Sequence, residues 1–346
     1  MLQESSFTFG KSPPDVETPS PTVTDAPPYS KILIFGSVPP PIGGVSVFIQ
    51  RHSEVLRRAG VTVQIVDWRN TGVLARLRAF AGARSSDVGI EVHGYQTMPL
   101  LCCILLARGR STLWLHSGQF SAHLTNLQRR ILRASLGRLG TIVLVSRHIR
   151  GLLASNGFEV PADAVVEPAF IEPDRSRLQS IWESYPETAK VFVHQHKPVL
   201  VMQGADAFHE GADRYGTDIA IEALGLLRLD YPDAALLVGR PSVGSEDFQE
   251  YERGQRARIN QLGLSESVFF LTGEQELWPM IGRADIFLRP TNQDGDSVSV
   301  REALALGVPV VASDACPRPE QCVSFVSRDP ISLAEAIRTV LEGAEC

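Results

Sequence analysis

From residue 31 onward the chain alternates between short runs of aliphatic and β-branched residues and stretches with helical spacing. This alternation limits the fold more than any other feature. Strands that read as near-continuous apolar runs are buried on both faces, and the helices between them are the crossovers that parallel strands need. KILIFG (31–36), VTVQIVDW (61–68), DVGIEVHG (87–94), STLWLHS (111–117) and TIVLVS (141–146) form a first series. A mixed, charged stretch over 171–197 reads as a linker with a flanking helix. PVLVMQG (198–204), AALLVGR (234–240), VFFLTG (268–273), DIFLRPT (285–291) and PVVAS (309–313) then form a second series. Helices are expected near 217–229, 247–262, 297–306 and 331–342. Another follows Gly44, where Val45, Phe48, His52, Val55 and Leu56 share one face until Gly60. The prediction is an α/β protein of two doubly wound parallel-sheet domains, 31–185 and 186–346, facing across a cleft. A length of 346 residues suits two such domains. Ligands of these sheets bind at the carboxyl ends of the strands.

Residues 1–30 are rich in Pro, Ser and Thr and are predicted to be a disordered tail. Glu4, Asp15, Glu17 and Asp25 against Lys11 give this tail the wrong charge for a secretory signal. The longest apolar run, over 98–107, is about half the length a transmembrane helix needs. Five cysteines without a CxxC pair argue against a disulfide scaffold or a zinc ribbon, so a cytoplasmic setting is expected.

The net charge of −6 hides an asymmetry: residues 31–170 carry 16 Lys+Arg against 7 Asp+Glu, and residues 171–346 carry 16 against 28. Within the basic half, LTNLQRRILRASLGRLG (124–140) sets Leu124, Leu127, Ile131, Leu132 and Leu139 beside Arg129, Arg130, Arg133 and Arg138. Such a helix either lies on an anionic membrane surface or packs on the sheet with solvated arginines. A peripheral position on the inner face of the plasma membrane is the corresponding expectation. No nucleic-acid partner is expected, since the whole chain is acidic and shows no recognisable module.

The segment LRPTNQDGDSVSVREALALGVPVVASD (288–314) concentrates the chemistry. A strand ends in a polar loop with Asp294, Gly295, Asp296 and Ser297. A helix follows from Val298 with Arg301 and Glu302 in its first turns. A helix N-terminus behind a glycine offers free amides and partial positive charge to a phosphate. DGD also spells a manganese-binding Asp-x-Asp, and His194 and His196 invite a metal reading. Three-residue matches of this kind are common by chance, no acidic partner lies near the two histidines, and no metal ligands are assigned.

This segment resembles the family-four retaining glycosyltransferases of GT-B fold, also called group 1. Their framework reads here as Pro290-Thr291, Asp294-Gly295, Glu302-Ala303 and Gly307-Val308-Pro309-Val310-Val311. The first acid is Asp where Glu is commoner. PPPIGGVSVF (39–48) resembles the family's first glycine-rich loop, and LWLHSGQF (113–120) resembles the strand end bearing its active-site histidine. The resemblance implies transfer of a sugar from a nucleotide-diphosphate donor to a glycan or lipid-linked acceptor, as in bacterial polysaccharide or glycolipid assembly. It implies no cofactor beyond that co-substrate. His116 and Asp294 are its implied catalytic residues. Gly43, Gly44, Thr272, Gly273, Gly295, Asp296, Ser297, Val298 and Glu302 are its implied donor-binding residues, with Glu302 on the ribose. An Arg and a Lys that relatives place on the diphosphate are replaced by Ala205 and Tyr215, so Arg214 or Arg289 is expected to substitute. The missing pair also keeps a catalytically silent sugar-nucleotide-binding subunit open. A nucleotide-sugar epimerase shares the fold, and a nicotinamide dehydrogenase would need a full GxGxxG that the first loop lacks.

Overall fold

The computed structural model describes residues 29–67, 70–240 and 245–344. They divide into two compact units between Ile171 and Glu172. The disorder expected of the tail falls, apart from Tyr29 and Ser30, outside the described residues.

In the N-terminal unit the elements run β1 (Lys31–Phe35), α1 (Gly44–Arg58), β2 (Thr62–Val66), α2 (Val73–Gly82), β3 (Val88–His93) and α3 (Thr97–Leu106). They continue with β4 (Ser111–Leu115), α4 (Asn126–Leu136), β5 (Thr141–Leu144), α5 (His148–Ser155) and β6 (Val165–Val166). The sheet order is β2-β1-β3-β4-β5-β6, and each pairing is parallel. Leu33, Ile34, Ile90, Val92, Leu113 and Leu115 are almost wholly withdrawn from solvent. Successive strand residues point to opposite faces, so a strand apolar at every position has both faces covered. Helix α4 sends Ile131, Leu132 and Leu136 into this core, while Leu127 stays 66% exposed. Arg129 and Arg133 lie over the Phe158 ring at 4.7 and 5.5 Å. Two of the helix's three arginines therefore pack against the protein.

The C-terminal unit begins with α6 (Leu178–Ser184) and α7 (Glu187–Gln195). It continues with β7 (Val199–Gln203), the antiparallel pair β8 (Phe208–His209) and β9 (Ala212–Asp213), α8 (Thr217–Leu227) and β10 (Ala235–Arg240). Next come α9 (Glu246–Gln261), β11 (Val268–Thr272), α10 (Trp278–Ile281), β12 (Ile286–Arg289), α11 (Val298–Ala305), β13 (Val310–Ser313), β14 (Val323–Phe325) and α12 (Pro330–Ala344). The main sheet is parallel in the order β11-β10-β7-β12-β13-β14. Strand β7 shows why both faces are apolar. Leu200 and Met202 face the cluster with Leu224 of α8 and Ile337 of α12. Val199 and Val201 face the cluster with Ile181, Tyr185, Phe192 and Trp278.

Residues 172–185, expected in the first domain, thus pack with the second unit, because Ile181 and Tyr185 cover one face of its sheet. Nor is the stretch a solvated linker. The ring of His194 stands edge-on to Trp182 at 6.1 Å, and His196 Nδ1 donates to the Phe192 carbonyl at 3.0 Å. Among the described residues no helix is long and apolar enough to cross a membrane.

Candidate active site

In the C-terminal unit the loop after β12 folds around a buried ion cluster. Arg289, last residue of β12, donates to both oxygens of Asp294, Nε to Oδ2 at 2.8 Å and Nη2 to Oδ1 at 3.2 Å. Arg318 donates to the same carboxylate at 2.9 Å and to Thr291 Oγ1 at 2.8 Å. All three charged side chains are at most 8% exposed. Burial by itself would raise the Asp294 carboxyl, but the two guanidinium groups hold it well below the usual carboxylate range. Two cations against one anion leave this cluster with net positive charge.

Helix α11 starts beside it. Ser297 caps the helix, its Oγ accepting from Val300 N at 3.3 Å, and Gly295 N donates to Asp294 Oδ1 at 3.1 Å. Asp296 pairs with Arg301 at 2.8 Å. Burial nevertheless raises its carboxyl against that partner's pull. Val298 and Glu302 are buried in the helix, and burial, with Glu276 and then Glu302 nearby, disfavours ionisation of the Tyr185 phenol.

The loop after β7 closes against the same place. Gly216 has φ +71°, and a Cβ there would stand 2.2 Å from the Pro290 carbonyl oxygen. Buried Asp213 holds the turn, accepting from Tyr215 N and Thr217 N at 2.8 and 2.9 Å. The Tyr215 ring then lies 5.2 Å from the Arg289 guanidinium.

Two expectations therefore look different in the structure. Asp294 was expected to meet a ligand, yet both of its oxygens are engaged by Arg289, Arg318 and the Gly295 amide. Arg289 was expected as a spare cation, yet it is committed to Asp294 and Gln203. Arg214 differs: its Nε donates to the Gln293 carbonyl at 3.4 Å, and it has no ion pair among the described residues. Thr272 ends β11 and Gly273 follows it, with two strands between them and β12 on the same carboxyl edge of the sheet. Arg318 went unnoticed in the sequence, although the Pro317-Arg318-Pro319 setting marks a stiffened arginine. Among the described residues no three of His, Cys, Asp or Glu converge as metal ligands.

In the N-terminal unit Gly43 precedes α1 and Gly44 opens it, with Gly43 N donating to Ser46 Oγ at 3.0 Å. Together with Gly36, His93, Tyr95 and Gln96 they line a cavity of about 690 Å³. It opens over the loops after β1 and β3, where the strand order changes direction. His116 follows β4 and is half-buried. Its Nε2 lies 3.0 Å from Nδ1 of the cavity-lining His93. Beyond His93 stand Glu91 and His52, which sequence reasoning missed. A Glu inside the apolar strand GIEVHG was the available signal.

Comparison with known proteins adds a partial family match and a fold. Residues 208–345 match the family described as glycosyl transferases group 1. The lipopolysaccharide glucosyltransferase WaaG of Escherichia coli is 26% identical over 154 residues, 43% of this chain and 37% of that protein. The lipopolysaccharide core biosynthesis mannosyltransferase LpsB of Rhizobium meliloti is 32% identical over 100 residues, 29% of this chain and 28% of that protein. The chain thus matches only about a third of the length of these relatives. Among solved structures, Anabaena HepE in complex with UDP-glucose aligns with a TM-score of 0.65 at 16% identity, covering 91% of this chain and 90% of that one. WaaG aligns with a TM-score of 0.62 at 15% identity, covering 91% of each. The fold is GT-B, as expected.

Proposed function

We propose that the chain, whose residues 208–345 match the group 1 glycosyltransferases, is a retaining enzyme moving a sugar from a nucleotide-diphosphate donor to an acceptor hydroxyl. One observation carries the reading. The net-positive Arg289–Asp294–Arg318 cluster stands beside the capped N-terminus of α11, with Glu302 in the same helix. A diphosphate is stabilised by such amides and fixed charge. Asp294 then acts as the group that aligns two arginines and, by holding the Gly295 amide, sets the amides of Asp296, Ser297 and Val298 for the donor. Glu302 takes the ribose hydroxyls. Arg214, uncommitted to a carboxylate, supplies the mobile cation in place of the absent Arg/Lys pair. Both DGD carboxylates are paired with arginine, which supports transfer without a metal.

Gly43, Gly44 and His116 of the N-terminal unit serve the transferring sugar and acceptor. Transfer proceeds through an oxocarbenium-like transition state, and the leaving phosphate accepts the acceptor's proton. The lipopolysaccharide relatives support a lipid-linked or growing glycan acceptor, with the enzyme working from the cytoplasm.

The test is thermal stabilisation by a panel of sugar nucleotides, with and without manganese, on wild type and Glu302→Ala. A bound ligand raises native stability by about 2.7 kcal/mol at a hundred times its Kd. One nucleotide sugar is expected to give a shift that ignores manganese and disappears in the variant. Equal nucleotide affinity in both proteins defeats the ribose role. Ala205 and Tyr215 favour a second reading, a silent donor-binding subunit, which would show the same shift and no transfer to any acceptor extract.

A further inference from the structure

Four titratable side chains of the N-terminal unit form one buried chain. His52 of α1 places Nε2 3.0 and 3.2 Å from the two oxygens of Glu91 on β3. The Glu91 Oε2 lies 3.4 Å from His93 Nε2, and His93 Nδ1 lies 3.0 Å from His116 Nε2. The His93 side chain is wholly closed to solvent and that of Glu91 is 13% exposed. Trp114 stacks on the His93 ring at 5.7 Å and 10°, and Phe48 stacks on His52 at 5.5 Å and 9°. Rings held between aromatic faces cannot turn over freely, so the order of nitrogens along the chain is fixed.

The protons follow from that order. Burial would raise the Glu91 carboxyl, but His52 and His93 hold it well below its usual range, so it is a carboxylate and accepts only. Burial would lower His52, yet Glu91 lifts it above its ordinary value, and its Nε2 donates to the carboxylate. Burial lowers His93 in spite of Glu91, and it lowers His116 strongly with His93 adding to the effect. Both are therefore neutral near pH 7, with one N–H each. His93 must turn its N–H toward the carboxylate, through Nε2. Its Nδ1 can then only accept, and His116 must donate from Nε2. Glu167 is the further acid that acts on this group, paired electrostatically with His52 and repelled by Glu91.

We propose that Glu91 and His93 are positioning residues for His116, fixing its ring as the Nε2–H form and leaving Nδ1 as an acceptor for a ligand hydroxyl. His116 Nδ1 makes no hydrogen bond to the described residues. The inference rests on the glycosyltransferase reading only in assigning that hydroxyl to a sugar.

The experiment is NMR of the full chain with 15N-labelled histidine, reading the scalar coupling across the His93–His116 hydrogen bond and the nitrogen that carries its proton. The expected result is a proton on His116 Nε2, slow to exchange, coupled to His93 Nδ1. A proton on His93 Nδ1, or no coupling, overturns the proposal. In His93→Phe, which keeps a ring against Trp114, the slow proton should vanish. There kcat should fall on the order of tenfold or more, as when partners that orient a histidine are lost, with the donor KM within about twofold. His93→Asn, whose Oδ1 can still accept, should recover part of both. An unchanged proton signal and kcat in His93→Phe also overturn it. If His93→Phe does not fold, the wild-type spectrum decides. If no sugar nucleotide turns over, the glycosyltransferase reading falls and the spectrum still judges the proton order.

Discussion

Asp294 shows how far a spacing rule reaches at the level of single residues. Its place eight residues before Glu302 was legible, because the loop and helix that set it are local. Its second partner was not, because Arg318 reaches it from another loop, 24 residues away. The consequence is energetic. Removing one member of a buried ion cluster leaves the others uncompensated, at a cost of about 3–5 kcal/mol. Asp294→Asn is expected to lose stability on that scale in denaturant unfolding, and Asp294→Asn with Arg318→Met should lose less. The acid dependence has a fixed sign. The carboxyl is depressed from its ordinary 3.8, so its stabilising contribution is complete above that value and drains away as pH falls toward the folded value. Wild type should therefore show an acid-side loss that Asp294→Asn lacks. Parallel acid curves for the two proteins contradict the assignment. Glu91 marks the opposite limit: it sits in a strand whose pattern is otherwise apolar, and a period-two reading passes over a single charge.

At the level of elements, the turn between β9 and α8 is the tightest constraint on the site. Gly216 combines φ +71° with a Cβ position 2.2 Å from a backbone oxygen. A side chain there is strained by conformation and blocked by a carbonyl that cannot yield without moving the β12 loop. Gly216→Ala is expected to lower the melting temperature by several degrees and to weaken nucleotide binding. Gly254→Ala, in the middle of α9 with open space around its Cβ, should do neither. Most elements were legible because their apolar runs and periodicities are long. The four expected second-series helices fall at α8, α9, α11 and α12 within a few residues. The pair β8 and β9 was not, since each strand has two residues and the turn puts Glu210, at φ 52°, where Asn or Asp usually signals a hairpin. The short strands β6 and β14 escaped for the same reason of length.

At the level of the whole molecule, each unit has its own core, and the boundary between them is testable. A fragment beginning at 172 keeps Ile181 and Tyr185 over Trp278, whereas one beginning at 186 uncovers that face of the sheet. The first is expected to be monomeric with dispersed NMR spectra, the second to aggregate; equal behaviour would return the boundary to 185. The basic half makes a second claim at this scale. Leu74 and Leu77 of α2 are 72% and 57% exposed among arginines of the same helix, as is Leu127 of α4. Vesicles with anionic lipid should sediment the protein at low salt and release it at high salt, and equal binding to neutral vesicles contradicts this. The division of the cores was not legible because α6 and α7, on either side of 185, are equally mixed in composition.

The strand order of the C-terminal unit also has a meaning for how the chain is made. Strand β7 lies between β10 and β12 at the centre of its sheet, and roughly eighty residues separate its end from the start of β12. A ribosome takes on the order of ten seconds to add them. Throughout that interval this central, buried strand has one side without its neighbour. A nascent chain of this design must be shielded by its own early helices or by a chaperone until Ile286 emerges.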